Sequence, residues 1–261
     1  MNQKLFRIYN RIASVVVLLV AVATYLMTME PTVSFWDCGE FIASSYKLEV
    51  GHAPGNPVFQ IISRFLTMFV PAEKAAVAVN VGSALCSAFT IFFLYLTIVH
   101  LGRRILEKGN RDPYSTGNAI ALIGASVVGS LAYCWSDTFW FSAVEAEVYA
   151  MSSLLTAISF WAILKWGEVA DEEYADRWLV FIAFLMGLTI GVHLLSLLVI
   201  PPIALIYYYR RTPKATLMGT IWTLLISFAV IAVILWGIVP YVPKVAAAFD
   251  LLFVNTFGLG Y

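Results

Sequence analysis

Charged residues are scarce in this chain. Lys, Arg, Asp and Glu make up 12% of the 261 residues, which is about half the share found in soluble domains, whereas 61% of the residues are hydrophobic. A chain with so few charges cannot cover a water-exposed surface, and its long apolar runs have the length of membrane spans. The sequence therefore predicts an all-α, polytopic membrane helix bundle.

Net charge and cysteine are lacking as well. The 16 basic residues balance the 16 acidic ones, so there is no basic excess of the kind that nucleic acid requires, and no nucleic-acid partner is predicted. The three cysteines are Cys38, Cys86 and Cys134. Their odd number and wide spacing give neither a disulfide framework nor a metal-binding motif.

About seven apolar segments are predicted to span the membrane. They are 12–29, 75–101, 117–135, 148–166, 178–192, 194–209 and 215–239. Lys4, Arg7 and Arg11 precede the first segment, which places the N-terminus in the cytoplasm by the positive-inside rule. A cleaved signal peptide is the alternative interpretation of this first segment.

The block 178–209 is interpreted as two short spans that turn near His193, with Gly187 and Gly191 allowing close packing. A single long helix would move the basic cluster at 210–214 to the outside, against the positive-inside rule. With two spans, all but four of the 16 Lys and Arg residues lie on the cytoplasmic side.

Residues 30–70 are predicted to form an extracytoplasmic loop with interfacial helices. The segment 57–69 could reach only about 20 Å as a helix, less than the roughly 30 Å hydrocarbon core. Its polar residues fall on one helical face: Gln60, Ser63, Arg64 and Thr67. The opposite face is apolar: Val58, Ile61, Ile62, Phe65 and Phe69. This pattern is typical of a helix that lies in the membrane interface.

The whole chain, 1–261, is predicted to form a single transmembrane domain. Because the sequence after Pro240 is still rich in apolar residues, we expect a further C-terminal region to belong to the protein. The expected location is a bacterial inner membrane with the site facing the periplasm, and an endoplasmic reticulum membrane is the alternative.

Polar residues gather at the extracytoplasmic face of this topology, where ionisable groups beside apolar surface are usually functional or paired. The candidate site residues are Asp37, Glu40, His52, Asn56, Arg64, Glu145, Glu147 and His193. Asp37 also fits the role of a helix cap, and Glu40 that of an ion-pair partner. Arg64 fits a snorkelling residue at lipid headgroups, a placement that also suits a lipid-linked phosphate.

A metal ion is a further possibility at this face. Glu145 and Glu147 lie two residues apart at the mouth of a span, and from a loop they could share a divalent ion. His193, near a glycine, also fits a packed turn residue. No other cofactor is expected.

Four motifs occur in an order that resembles a known family. They are Asp37-Cys38-Gly39-Glu40, His52-Ala53-Pro54-Gly55-Asn56-Pro57, Glu145-Ala146-Glu147-Val148-Tyr149 and the stretch from Gly187 to His193. The chain is similar to the protein O-mannosyltransferase-like family, formerly catalogued as a domain of unknown function. That family belongs with the GT-C glycosyltransferases, which use polyprenyl-phosphate-linked sugars. Two departures are Cys38, where serine is more usual, and the short length of this chain.

The resemblance implies a membrane glycosyltransferase acting at the extracytoplasmic face. It would move a hexose such as mannose from a polyprenyl-phosphate carrier to a hydroxyl, with Ser or Thr of exported proteins as the expected acceptor and membrane lipids as surroundings. Asp37 would be the general base, with Glu40 or His52 orienting it or the acceptor. Arg64 and His193 are the candidate cationic groups for the leaving phosphate, and a divalent ion would share that role.

Three alternatives stay open. The same donor chemistry could serve a lipid or polysaccharide acceptor. A multipass transporter is less favoured, because transporters place ionisable groups near the midplane and often show repeats, whereas no repeat is visible here. A non-enzymatic scaffold would need none of the candidate side chains.

Overall fold

The computed structural model describes residues 2–260, and all regular secondary structure in that range is helical. The helices are α1 (Gln3–Thr28), α2 (Cys38–Lys47), α3 (Pro57–Thr67), α4 (Ala75–Lys108), α5 (Thr116–Cys134), α6 (Asp137–Ala143), α7 (Val148–Val169), α8 (Arg177–Ile190), α9 (Ile200–Arg211), α10 (Leu217–Val233) and α11 (Val239–Phe257). This confirms the predicted all-α, polytopic membrane fold. The first and last residues of the predicted 1–261 domain lie outside the described range.

Six helical stretches within residues 2–260 are long and apolar enough to cross a membrane. They are Gln3–Thr28, Ala72–Lys108, Thr116–Cys134, Val148–Val169, Leu194–Arg211 and Leu217–Phe257. The predicted span 178–192 corresponds to α8, which has 14 residues and reaches only about 21 Å. The predicted span 215–239 continues through a π-helical segment, Ile234–Ile238, into α11. Pro240 lies in the first turn of α11, where proline is tolerated, so it does not end this helical stretch.

The described chain divides after Ser196 into two compact units. In the first unit α4 is central and packs against α1, α5 and α7, while α8 packs on α7. In the second unit α9 packs on α10, and the π-helical segment joins α10 to α11.

Two apolar clusters form the core of the first unit. One joins α1, α4, α5 and α6 around the fully buried Tyr25, Ile91 and Tyr95. The other lies under α2 and α3, where Phe41 and Phe59 pack with residues at the start of α4 and α7. The second cluster packs beneath the candidate site and supports its residues.

Asn80 fastens the loop that leads from α1 to the candidate site. Its side chain is 1% exposed, and its amide donates hydrogen bonds to the carbonyl oxygens of Glu30 (2.7 Å) and Thr32 (3.0 Å). A buried amide with two such bonds is costly to disrupt. The loop is therefore held against α4 a few residues before Asp37.

The two faces of α3 are used as the sequence pattern indicates. Gln60 and Ser63 are buried, and the Gln60 amide donates to the Ser44 hydroxyl on α2 over 3.2 Å. Ile61 and Phe65 on the opposite face are 63% and 59% exposed. The polar face thus packs on protein and the apolar face is exposed, which is the distribution expected of the predicted interfacial helix.

Candidate functional site

A cavity of about 230 Å³ lies between the start of α2, the loop before α3, the start of α7 and the turn after α8. Its lining residues are Asp37, Phe41, His52, Pro54, Gly55, Asn56, Glu147, Val148, Tyr149, Val192, His193 and Leu194. Five of the eight candidate site residues therefore lie around one cavity, although up to about 150 positions separate them in sequence.

Asp37 stands at the N-cap position of α2, but its side chain makes no capping hydrogen bond to any residue that the structure describes. The preceding Trp36 has a φ of 60°, in the left-handed region that non-glycine residues rarely adopt. This turn brings Asp37 to the edge of the cavity, where its side chain is exposed. The carboxylate is therefore available to a ligand rather than occupied as a helix cap.

Glu40 holds His52. One Glu40 carboxylate oxygen accepts the His52 backbone N–H at 2.6 Å, and both oxygens lie 3.1 Å from His52 Nδ1. These hydrogen bonds lower the pKa of Glu40 and raise the pKa of His52. With Nδ1 engaged by Glu40, His52 Nε2 is the ring nitrogen left for the cavity.

Asn56 precedes Pro57 at the start of α3 and is only 7% exposed. Its Oδ1 atom is buried and has no hydrogen-bond partner among the described residues. Buried polar atoms without partners are rare. Because Asn56 also lines the cavity, this orphaned amide oxygen is a ready contact for a bound hydroxyl or N–H group.

Glu145 and Glu147 have different surroundings. The Ser34 hydroxyl donates to Glu145 Oε2 over 2.6 Å, and the Cys38 thiol lies 3.8 Å from Glu147 Oε1. Both carboxyl groups are buried, at 4% and 8% exposure, and only Glu147 lines the cavity. Burial, and then the neighbouring Glu145 and Asp37 charges, raise the pKa of Glu147 to about 7.

His193 and Tyr149 lie side by side in the cavity wall, with ring centroids 5.0 Å apart. His193 Nδ1 accepts the Leu195 backbone N–H at 3.2 Å, which leaves Nε2 as the protonated nitrogen of a neutral ring. Burial also lowers the pKa of His193. The wall therefore offers a neutral N–H donor beside an aromatic face.

Arg64 does not line the cavity. Its Nη1 donates to the Tyr46 carbonyl oxygen over 2.5 Å, and its guanidinium lies 5.2 Å from the Tyr46 ring centroid. Arg64 thus ties α3 to α2. Among the described residues that line this cavity, His52 and His193 are the two that can offer an imidazole N–H to a phosphate, beside the side-chain amide of Asn56.

Within residues 2–260, two residue groups have the spacing of a metal site. The potential ligand atoms of Cys38, Glu145 and Glu147, all buried, lie within 4.8 Å of one another. The same holds for the exposed group of Asp37, Glu40 and His52. Burial, followed by the two glutamate charges, raises the pKa of the Cys38 thiol to about 12. At neutral pH the buried set therefore offers carboxylate oxygens first, the ligands that hard divalent ions prefer.

Several contacts of this site were not predicted. Ser34 and Cys38 anchor the two glutamates from 111 and 109 positions away. Phe41 packs against the His52 ring at 5.8 Å, and the Tyr149 ring packs against His193 at an interplanar angle of 58°. The Glu-Ala-Glu-Val-Tyr motif contains Tyr149, which is the one sequence signal that could have assigned it to the site.

Gly191 allows the start of α3 to pack closely against the turn after α8. A Cβ atom at Gly191 would lie 2.5 Å from Val58 Cγ2, and the Gly191 carbonyl oxygen accepts the Val58 N–H at 2.8 Å. We expect Gly191→Ala to push α3 away and lower stability by roughly 1–3 kcal/mol, measured by thermal or denaturant unfolding in lipid nanodiscs.

Gly187→Ala is the matched control, because no atom of the described residues, apart from the chain neighbours and the backbone of its own helix, lies within 4 Å of a Cβ atom at Gly187. Alanine is the better helix former, so this variant should unfold no earlier than the wild type. Equal losses in the two variants would mean that the contact with Val58 does not matter.

The fold and the site together define a class, a multipass helical membrane protein with a cavity of carboxylates and histidines at one end of its first unit. The model of the family "Protein O-mannosyl-transferase TMEM260 N-terminal domain" matches residues 37–216, more than half of the chain. The chain belongs to this family. The match begins at Asp37 and includes all eight candidate residues. It confirms the family that the motifs predict.

Two curated relatives carry the same family name. Protein O-mannosyl-transferase TMEM260 of Mus musculus is 22% identical over 230 residues, covering 88% of this chain and 29% of the relative. Protein O-mannosyl-transferase tmem260 of Dictyostelium discoideum is 24% identical over 216 residues, covering 77% of this chain and 24% of the relative. The chain thus spans less than a third of these relatives. No solved structure matches it.

Proposed function

We propose that this chain carries the catalytic and donor-binding part of a membrane glycosyltransferase. The enzyme moves a hexose, such as mannose, from a polyprenyl-phosphate carrier to Ser or Thr of exported proteins at the extracytoplasmic face. The observation that carries the proposal is the cavity in which Asp37, His52, Glu147 and His193 converge. The names of the relatives, both protein O-mannosyl-transferases, support transfer to protein.

Each step of the reaction has a residue of suitable chemistry. Asp37 takes the proton of the acceptor hydroxyl as the hydroxyl oxygen bonds to the anomeric carbon. The bond between that carbon and the phosphate oxygen breaks, and the electron pair leaves with the lipid phosphate. His52, whose pKa is raised by Glu40, meets the phosphate charge as an imidazolium.

The other lining residues position the sugar. Asn56 supplies its unpartnered amide to a sugar hydroxyl, and His193 donates from Nε2. Tyr149 provides an aromatic face, on which a sugar ring can lie. Glu40 acts through His52 and is a positioning residue. A divalent ion, where bound, would be held by Glu145 and Glu147 and would help to neutralise the phosphate.

The direct test uses the purified protein in lipid nanodiscs with a radiolabelled polyprenyl-phosphate mannose and a Ser/Thr-containing peptide. We expect label on the peptide, with loss of label from the lipid in equal amount. Label on a lipid or polysaccharide instead would keep the chemistry and change the acceptor. An unchanged donor in the presence of folded protein, with and without added divalent ions, would overturn the proposal.

A further inference from the structure

A second cavity, of about 370 Å³, opens between α1, α4 and α7 at the other end of the first unit. On α4, Asn80 holds the loop beside the candidate site, whereas His100 and Arg103 line this second cavity. The helix between Asn80 and Arg103 is about 35 Å long. The second cavity is therefore separate from the candidate active site, at the end predicted to be cytoplasmic.

Three cationic side chains line this cavity, those of Arg7, Arg103 and Lys165. One carboxylate, that of Glu168, lies among them. Glu168 is shared, since Arg103 Nη2 donates to one of its oxygens and Lys165 Nζ donates to the other over 2.9 Å. Arg7 makes no ion pair within residues 2–260. Arg103 also lies 3.5 Å from Glu107, one turn further along α4. Three cations thus stand against two carboxylates, and the Arg7 guanidinium is the one without an ion pair among residues 2–260.

Part of the remaining wall is aromatic and consists of Phe6, Tyr114 and Trp161. Trp161 packs against Phe93 and Trp178, with ring centroids 5.4 and 5.8 Å away. Phe6 meets Tyr114 edge to face at 5.4 Å. Such a wall accepts the apolar or planar portion of a ligand, while the cations take its charged portion.

We propose that this second cavity binds a phosphate-bearing ligand through Arg7, Arg103 and Lys165. A phosphate group offers several oxygens to guanidinium forks and a lysine ammonium, whereas a carboxylate offers two. The position also fits, because basic pockets between transmembrane helices on the cytoplasmic side bind phosphorylated lipid headgroups. The source of the phosphate is a membrane lipid or a soluble phosphate ester.

Two probes distinguish these sources. The full chain is placed in phosphatidylcholine nanodiscs, and its unfolding temperature is measured after part of the lipid is replaced by phosphatidic acid or after inorganic pyrophosphate is added. Binding to the folded state raises the unfolding temperature. A rise with phosphatidic acid identifies a lipid headgroup site, and a rise with pyrophosphate alone identifies a soluble ligand.

Charge variants locate the effect. Arg7→Gln should weaken apparent binding at least about tenfold, and Lys165→Gln should weaken it as well. Lys108→Gln is the matched control, because Lys108 is an exposed residue of α4 that does not line the cavity. No rise with either probe, or equal weakening in Lys108→Gln and Arg7→Gln, would overturn the proposal, because both results mean no specific site.

Discussion

Replacing Asp37 with asparagine is expected to reduce sugar transfer by at least about 100-fold, the scale of a lost general base. Asparagine keeps the shape of the side chain but cannot take the acceptor proton. It is also a good N-cap residue, and Asp37 makes no capping hydrogen bond that the change would remove. Thermal stability should therefore stay close to that of the wild type. The measurement is initial-rate transfer from labelled donor to peptide.

Asp137→Asn is the matched control for this experiment. Asp137 is an exposed aspartate in the first turn of α6, outside the cavity, and its replacement should leave transfer within about twofold of the wild type, as expected for a surface substitution. Donor binding should be measured separately, because a lost base lowers the rate more than the affinity. A folded Asp37→Asn protein that transfers sugar at the wild-type rate would show that Asp37 is not the general base.

The clustering of distant candidate residues could be predicted, because the alternation of helices brings loops that are far apart in sequence to one end of a bundle. Apolar run lengths and the positive-inside rule were enough to group Asp37, His52 and His193, which the structure places around one cavity. Hydropathy gives the end of the bundle at which a residue lies but not the direction in which its side chain points. That direction depends on packing between segments that are far apart in sequence.

Arg64 illustrates this limit. Helical periodicity correctly placed it on the same face of α3 as Gln60. The sequence did not indicate that this face packs on α2, where Arg64 meets the Tyr46 carbonyl and ring. The Arg64 guanidinium therefore contacts Tyr46 and does not reach the cavity. In the proposed mechanism, His52, which is hydrogen-bonded to Glu40, binds the phosphate instead.

Span lengths show a similar limit. The basic cluster after residue 209 predicts two spans that turn near His193, and in the structure the backbone N–H groups of Val192 and His193 donate to the Thr189 carbonyl oxygen, as in a turn. The sequence could not show that α8 would stop at Ile190 with only 14 residues. Nor could it show that Pro240 would fall in the first turn of α11, because both outcomes depend on local hydrogen bonding.

Glu147 gives the second large expected effect, on stability as a function of pH. Burial first, and then the charges of Glu145 and Asp37, raise its pKa from 4.5 to about 7. Between these two pH values the folded protein binds a proton at Glu147 that the unfolded chain has released. The favourable contribution of this proton is complete below pH 4.5 and is lost as the pH rises through 7.

Glu147→Gln should therefore stabilise the protein at pH 8, by roughly 2–3 kcal/mol, and should change stability little at pH 4.5. Glutamine stays neutral, so the cost of a buried charge is absent at high pH. The measurement is denaturant unfolding in nanodiscs at both pH values.

Glu73→Gln, at an exposed glutamate before α4, is the control and should leave the pH dependence unchanged. A Glu147→Gln protein that is less stable than the wild type at pH 8 would contradict this account. If divalent ions then stabilise only the wild type, the Glu147 charge is compensated by a metal shared with Glu145.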